Sequence, residues 1–400
     1  MPKLLQINVT ANWGSTGKIS EQIGVLAQAQ GWDSYIAYGR HANPSNLNTI
    51  KIGNQIDVYE HYAESRFGDR EGLASRDATR VFLKHVEKIK PDIIHLHNIH
   101  DHYLNYKLLF NYIVAKDIPV VWTQHDCWAF TGHCSYYDYI GCKKWKKECN
   151  NCPLVNCLSV DRSRQNFLLK KELFNSLRSL TIVPVSNWLA NQINESFLNH
   201  HRVVVIKNGV DLSVFKENCT DVHKQYGIKK GSKILLGVAS AWSNRKGLED
   251  YIELSKVLSS SYQIVLVGLN KKQLSLLPSK IIGVERTNNI QELVNLYSSA
   301  DIVLNLSYEE TFGLTTVEGF ACGTPSIVYN KTASPELISS DTGVVVEAGD
   351  FCGLAYAIDV ICSKGKKFYS KACRERAEQL YNKNHRFQDY INLYSEIISK

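Results

Sequence analysis

The sequence predicts two Rossmann-like, doubly wound α/β domains in tandem, facing across a cleft. Three observations lead there. The chain has 400 residues, more than one hydrophobic core usually supports, so two domains of roughly 200 residues each are expected. Both halves alternate short apolar runs with helix-length segments, the pattern of parallel βαβ units covered on both faces. The polar and glycine-bearing stretches able to hold a ligand each follow such a run, where the carboxyl ends of parallel strands gather ligands.

Taken in order, the first half reads as a strand at residues 4–9, a helix over 18–30 and a strand at 34–38. Pro91 precedes a strand at 93–97, a helical stretch runs through Tyr112, and Pro119 precedes a strand at 120–123. Residues 182–185 form a further strand, and Ser186-Asn187 opens a helix because a serine hydroxyl can accept from a first-turn amide. A strand at 203–206 then leads through Asn208-Gly209-Val210-Asp211 into the second half. There, strands are expected at 234–238, 264–267, 302–306 and 326–329, with a helix over 248–258. The tail over 386–398 carries Phe387, Tyr390, Ile391, Tyr394 and Ile397 or Ile398 at helical spacing, a stripe able to pack on another surface.

Composition narrows the function classes. A hydrophobic fraction of 44% with 21% charged residues describes a folded globular chain, not a disordered or fibrous one. The longest apolar runs, 264–269 and 302–306, fall far short of the roughly 20 residues that span a bilayer. The N-terminal stretch lacks the apolar core and cleavage site of a signal peptide, so a cytoplasmic location is expected. In that compartment the 11 cysteines are expected as thiols or metal ligands rather than a disulfide framework. The net charge of +7 is modest, but basic residues are bunched at Lys143, Lys144, Lys146, Lys147, Arg162, Arg164, Lys170 and Lys171. That bunching suits either a solvated positive face or the inner membrane surface. No nucleic-acid reader motif accompanies it, so no nucleic acid is expected as partner.

The strongest local signal is Glu310-Thr311-Phe312-Gly313-Leu314-Thr315, continuing to Glu318 and then to Gly323-Thr324-Pro325. It follows the 302–306 strand. Glu310 falls before a helix start and Glu318 about two turns in, while the helix-terminal amides between them can hold an anion. Carboxylates accept from sugar or ribose hydroxyls; alternatively, Glu310 caps the helix and Glu318 is exposed. A second stretch, Val238 to Gly247, also follows a strand and carries Arg245-Lys246, either a solvated turn or a pair of cations for a diphosphate. In the first half, Gly14-Ser15-Thr16-Gly17-Lys18 follows the first strand and opens a helix, but its spacing is not that of a P-loop. His125, in Gln124-His125-Asp126 at a strand end, is either a satisfied core histidine or a group facing the cleft.

Together these stretches resemble the retaining glycosyltransferases of family 4, whose fold is GT-B. The acidic pair looks like the Glu-x7-Glu motif of that family. The resemblance implies that Glu310 contacts the transferred sugar and Glu318 the donor ribose, with Phe312, Gly313, Leu314 and Thr315 on the donor. It further implies Lys246 and Arg245 on the diphosphate, Gly14 and Gly17 bordering donor phosphate and acceptor, and His125 near the transferred sugar. Family members often carry another arginine where Ser240 stands here. Pro91 to Asn98 reads as family members do, and the aromatic tail resembles the helix that crosses back to the N-terminal domain. The domains are therefore 1–205 with 385–400, on the acceptor side, and 206–384, on the nucleotide-sugar side. Asn12 to Gly17 and Gln124 to Trp128 give the chain the flavour of the bacterial exopolysaccharide, colanic-acid-type enzymes.

The implied activity is retaining transfer of a hexosyl unit from a nucleotide diphosphate sugar to a saccharide or lipid-linked oligosaccharide, in exopolysaccharide, capsule or lipopolysaccharide assembly. Catalysis is expected without a metal cofactor, since no Asp-x-Asp motif occurs in a metal-binding context. Two rival readings are a nucleotide-sugar epimerase of similar architecture and a non-catalytic binding protein. Within an insertion at about 127–157, Cys134, Cys142, Cys149 and Cys152 have spacing compatible with structural zinc. Free buried thiols and disulfides are the alternatives. Four thiolates would leave no open position for catalysis. The nearby Tyr136, Tyr137, Tyr139 and Trp145 are candidates, with the lysines, for meeting a lipid-linked acceptor.

Overall fold

The computed structural model of the protein describes residues 1–399. The chain divides into two compact units, Met1–Ile206 with Phe387–Lys400, and Lys207–Arg386. In the first unit the order is β1 (Lys3–Asn8), α1 (Gly14–Ala29), β2 (Asp33–Tyr38), β3 (Asn48–Lys51), α2 (Gln55–Gly68), α3 (Arg76–Ile89) and β4 (Ile93–Leu96). It continues through α4 (Tyr106–Lys116), β5 (Val120–Gln124), α5 (Ser163–Asn175), β6 (Leu180–Pro184), α6 (Asn187–Asn194) and the two-residue β7 (Arg202–Val203). The second unit has β8 (Lys233–Val238), α7 (Leu248–Val257), β9 (Tyr262–Val267), α8 (Lys271–Leu276), β10 (Ile281–Val284), α9 (Ile290–Ser299) and β11 (Ile302–Asn305). Then come α10 (Leu314–Ala321), β12 (Ser326–Tyr329), β13 (Gly343–Val346), α11 (Phe351–Lys364), α12 (Lys366–Tyr381) and α13 (Lys383–Ile398), which passes from the second unit into the first.

Both sheets are parallel throughout. Their orders are β3-β2-β1-β4-β5-β6-β7 and β10-β9-β8-β11-β12-β13. Each order reverses direction once, between β1 and β4 and between β8 and β11, and such a reversal opens a crevice at the strand ends. The central strands β4, β5, β6 and β11 are buried at every position, which is why they read in sequence as near-continuous apolar runs rather than alternations. Ser186 does cap α6, accepting from the Leu189 amide at 3.1 Å.

The aromatic stripe of α13 closes one face of the first sheet. Phe387, Tyr390, Ile391 and Tyr394 join Ile19 and Ile23 of α1 and Ile93, Val121 and Val183 of the strands in one core. A buried polar chain fixes the register. Thr123 Oγ1 donates to Tyr390 Oη at 3.1 Å and accepts from His95 Nε2 at 2.8 Å, and the Tyr394 hydroxyl donates to His95 Nδ1 at 2.6 Å.

Three expectations need correction. Lys170 is not part of a basic surface: it is 1% exposed, with its ammonium on the Trp128 and Thr131 carbonyl oxygens. Tyr137 and Trp145 are likewise buried, packed edge-on and tilted with Phe130 in a small aromatic core, because the irregular insertion has little other apolar material to cover. Strand 203–206 shrinks to β7, whose ladder pairs are Arg202 and Val203 with Thr181 and Ile182, although the Val204 and Ile206 amides still donate to the Ile182 and Pro184 carbonyls of β6 at 3.0 and 3.2 Å. Among the described residues, no helix is long and apolar enough to cross a membrane.

Candidate functional site

In the second unit the candidate residues converge beyond the carboxyl ends of β8 and β11, at the reversal of strand order. A single 3-10 turn, Asn244–Lys246, follows β8 and ends at Gly247, whose φ of +71° leads into α7. No other residue fits at Gly247: a Cβ there would lie 2.1 Å from the Leu306 carbonyl oxygen. That close approach brings the Lys246 ammonium onto Glu310 Oε1 as an ion pair whose side chains are 19% and 13% exposed. Ser307 Oγ donates to the same carboxylate oxygen at 3.1 Å, and the Thr332 hydroxyl clamps the Glu310 backbone at 2.8 and 2.9 Å. Burial alone would raise the Glu310 carboxyl, but Lys246 and then Arg245 overcome it and hold it below the ordinary range. Arg245 also donates to the Glu309 carbonyl at 2.7 Å.

Gly313 adopts φ +99° and heads α10, a conformation that glycine takes without strain. The amides of Leu314 and Thr315 are thereby left at the helix start, where the first N–H groups have no intrahelical partner and favour an anion. Phe312 is buried beneath the turn. Glu318 lies one turn into α10, not two, because the helix begins at Leu314. It is neither exposed nor unheld: the Tyr297 hydroxyl donates to its Oε2 at 2.8 Å. Ser307, Thr332 and Tyr297 escaped the sequence reading, since nothing in their local spacing marks them.

The first unit carries its own cluster. Gly14 has φ +66° with open space around it, whereas a Cβ on Gly17 would lie 2.6 Å from Thr10 Oγ1. Gly17 is thus required for packing α1 against the loop, and Gly14 for the shape of an accessible turn. His125 is half-buried and stacks on His97 at 5.4 Å between ring centroids. The Gln6 amide nitrogen donates to the Ser20 carbonyl at 2.8 Å, so its oxygen accepts from His97 Nε2 at 3.1 Å. His97 Nδ1 then accepts from His125 Nε2 at 3.1 Å, which places the lone pair of His125 on Nδ1. Burial pushes His125 down to about 4, against Asp126 and reinforced by His100, so the imidazole is neutral.

His100 behaves oppositely. Burial would lower it, but Asp126, bonded to His100 Nε2 at 2.9 Å, raises it well above the usual histidine range. The adjoining Asp101 and His102 adopt φ +78° and +69°, backbone that costs of order 1–3 kcal/mol per residue and collects at functional sites. The histidine relay and the strained pair were not anticipated; clustered histidines after β4 were the one sequence signal available.

A model of the family described as "Glycosyltransferase Family 4" matches residues 25–214, and one described as "Glycosyl transferases group 1" matches residues 232–364. A colanic acid biosynthesis glycosyl transferase of Escherichia coli K12, WcaC, is 21% identical over 98% of this chain and 100% of its own. Among solved structures, a sucrose-phosphate synthase from Thermosynechococcus elongatus aligns with TM-score 0.73 at 18% identity over the whole of both chains. The Anabaena protein HepE, solved in complex with UDP-glucose, aligns with TM-score 0.66 at 15% identity over 98% of this chain and 99% of its own. These likenesses carry the fold, which is GT-B.

Proposed function

The chain belongs to the group 1 glycosyltransferases, and from that premise we propose that it moves a hexosyl unit, with retention, from a nucleotide diphosphate sugar to a saccharide in surface polysaccharide assembly. The observation that carries the reading is the convergence of Lys246, Glu310 and the α10 N-terminus at the β8–β11 reversal. In the free protein Lys246 and Glu310 neutralise each other. A diphosphate competes for the ammonium, and the released carboxylate can then accept from sugar hydroxyls.

Transfer breaks the anomeric carbon–oxygen bond, and its electron pair passes to the diphosphate. The new bond forms to the acceptor hydroxyl oxygen on the face the nucleotide leaves, and the acceptor proton goes to the departing phosphate. Lys246, Arg245 and the Leu314 and Thr315 amides stabilise the charge on that phosphate, the contribution that preorganised donors make best. Glu318, held by Tyr297, receives the ribose hydroxyls. A lipid-linked acceptor at an anionic membrane face is supported by Lys143, Lys144, Lys146 and Lys147, which are all exposed.

The test is thermal stabilisation by UDP, GDP, ADP, CMP and their sugars. Saturation at about 100 times Kd stabilises by about 2.7 kcal/mol, so one nucleotide family should raise Tm, and Lys246→Ala and Glu318→Ala should each abolish the rise. No shift with any nucleotide would bring down the donor assignment. Turnover of the donor with no acceptor present would favour the epimerase reading.

A further inference from the structure

The insertion that follows β5 is almost devoid of regular structure. Between Cys127 and Asp161 it has three single-turn 3-10 helices, at Trp128–Phe130, Asp138–Ile140 and Lys144–Lys146. Loops beyond about 12–15 residues without their own secondary structure are uncommon in compact domains, so something else must organise this one. Within it Cys134, Cys142, Cys149 and Cys152 line a single cavity beside Tyr137 and Trp145. Cys134 and Cys152 are hydrogen-bonded to each other, and Cys142 lies within electrostatic range of Cys149.

A backbone amide is turned toward one of the sulfurs: Gly132 N–H donates to Cys149 Sγ at 3.3 Å. A neutral thiol is a weak acceptor; amides aimed at sulfur suit thiolate ligands, whose orientation such outer contacts fix. A second, independent observation is the buried ammonium of Lys170, in the helix that follows. Its hydrogen bonds go to the carbonyl oxygens of Trp128 and Thr131, at 2.7 and 3.1 Å, and to no carboxylate. Glu71 and Asp69 already act on this buried charge; a divalent cation held by four thiolates, with a net charge of −2, would add to that counter-charge.

We propose that Cys134, Cys142, Cys149 and Cys152 form a closed tetrathiolate site for zinc that pins the insertion to the first unit. Four thiols give up four protons to bind one Zn²⁺, and no electron changes hands. Tetrahedral ligation at about 2.3 Å draws the sulfurs inward, since no three of them lie within 4.8 Å of one another. The group that does, Glu71, His100 and Asp101, lies outside the insertion and cannot organise it.

The experiment is metal analysis of the full-length, tag-free protein by plasma mass spectrometry, with thiols counted in denaturant plus chelator. Expected are about one zinc per chain and 11 reactive thiols, with zinc lost in Cys149→Ser and Cys152→Ser but kept in Cys157→Ser, whose thiol is exposed outside the cavity. Should the serine variants fail to fold, stepwise mercurial titration of the wild type must release zinc as the thiols react. Wild-type protein with little zinc and 11 free thiols, or with fewer thiols because of a disulfide, would overturn the site. None of these readouts depends on transferase activity.

Discussion

Lys246→Ala removes one half of the Lys246–Glu310 pair and strands the other. With side chains 19% and 13% exposed, the remaining carboxylate cannot recover full hydration, and loss of one partner of a buried pair costs about 3–5 kcal/mol. The residual exposure puts this pair near the lower figure. At about 2–4 °C per kcal/mol for a domain of this size, Tm of the second unit should fall by about 6–12 °C. The double variant Lys246→Met/Glu310→Gln removes both charges and keeps an oxygen for Ser307, so it should lie within about 1 kcal/mol of wild type. The resulting coupling energy should be about 2 kcal/mol or more. Calorimetry of wild type, Lys246→Met, Glu310→Gln and the double variant measures it, the relevant transition being the one that nucleotide shifts in wild type. pH supplies a second arm. The depressed Glu310 carboxyl contributes stability above the ordinary carboxylate pKa and loses it as pH falls through its folded value. In Lys246→Ala the stranded carboxyl is relieved by protonation, so the gap to wild type should narrow on acidification. Additive losses, or a gap unchanged by pH, would refute the reasoning.

Two further outcomes test the two units separately. His95 and His97 are held well below the usual histidine pKa by burial, and His125 at about 4, so the unfolded chain takes up their protons first and stability should be lost as pH falls from about 6.5 toward 4. His100, shifted the other way, contributes below about 6.5 and loses that contribution as pH rises through its folded value. A His125→Asn variant should therefore show a shallower acid slope in Tm than wild type, and an identical slope would count against the relay. Gly268→Ala should cost more than about 2 kcal/mol in denaturant midpoint stability: φ is +98° and the new Cβ would lie 1.7 Å from the Ala239 carbonyl oxygen, whereas Gly14→Ala, strained but in open space, should cost about 1–2 kcal/mol. Equal losses would show that backbone conformation, not the close approach, sets the requirement.

Local sequence determined the central strands, because burial on both faces demands near-continuous apolar runs that the residue order displays. It also determined the helix caps, the glycine turns and the acidic and basic stretches after the strands, since each depends on neighbours a few residues away. Strand β3 went unread because it lies at the sheet edge and is mostly exposed, so no hydrophobic period marks it. Tertiary structure alone decided that Lys246 meets Glu310, that Tyr297 holds Glu318, and that Gln6 sets the tautomer of His97 and through it that of His125. It also sent Lys170, Tyr137 and Trp145 inward rather than to the surface. Pairs such as Gln6 and His97, 91 residues apart, are joined only when parallel strands bring their carboxyl ends together. Sequence spacing carries the chemistry of each side chain, while the sheet order chooses its partner.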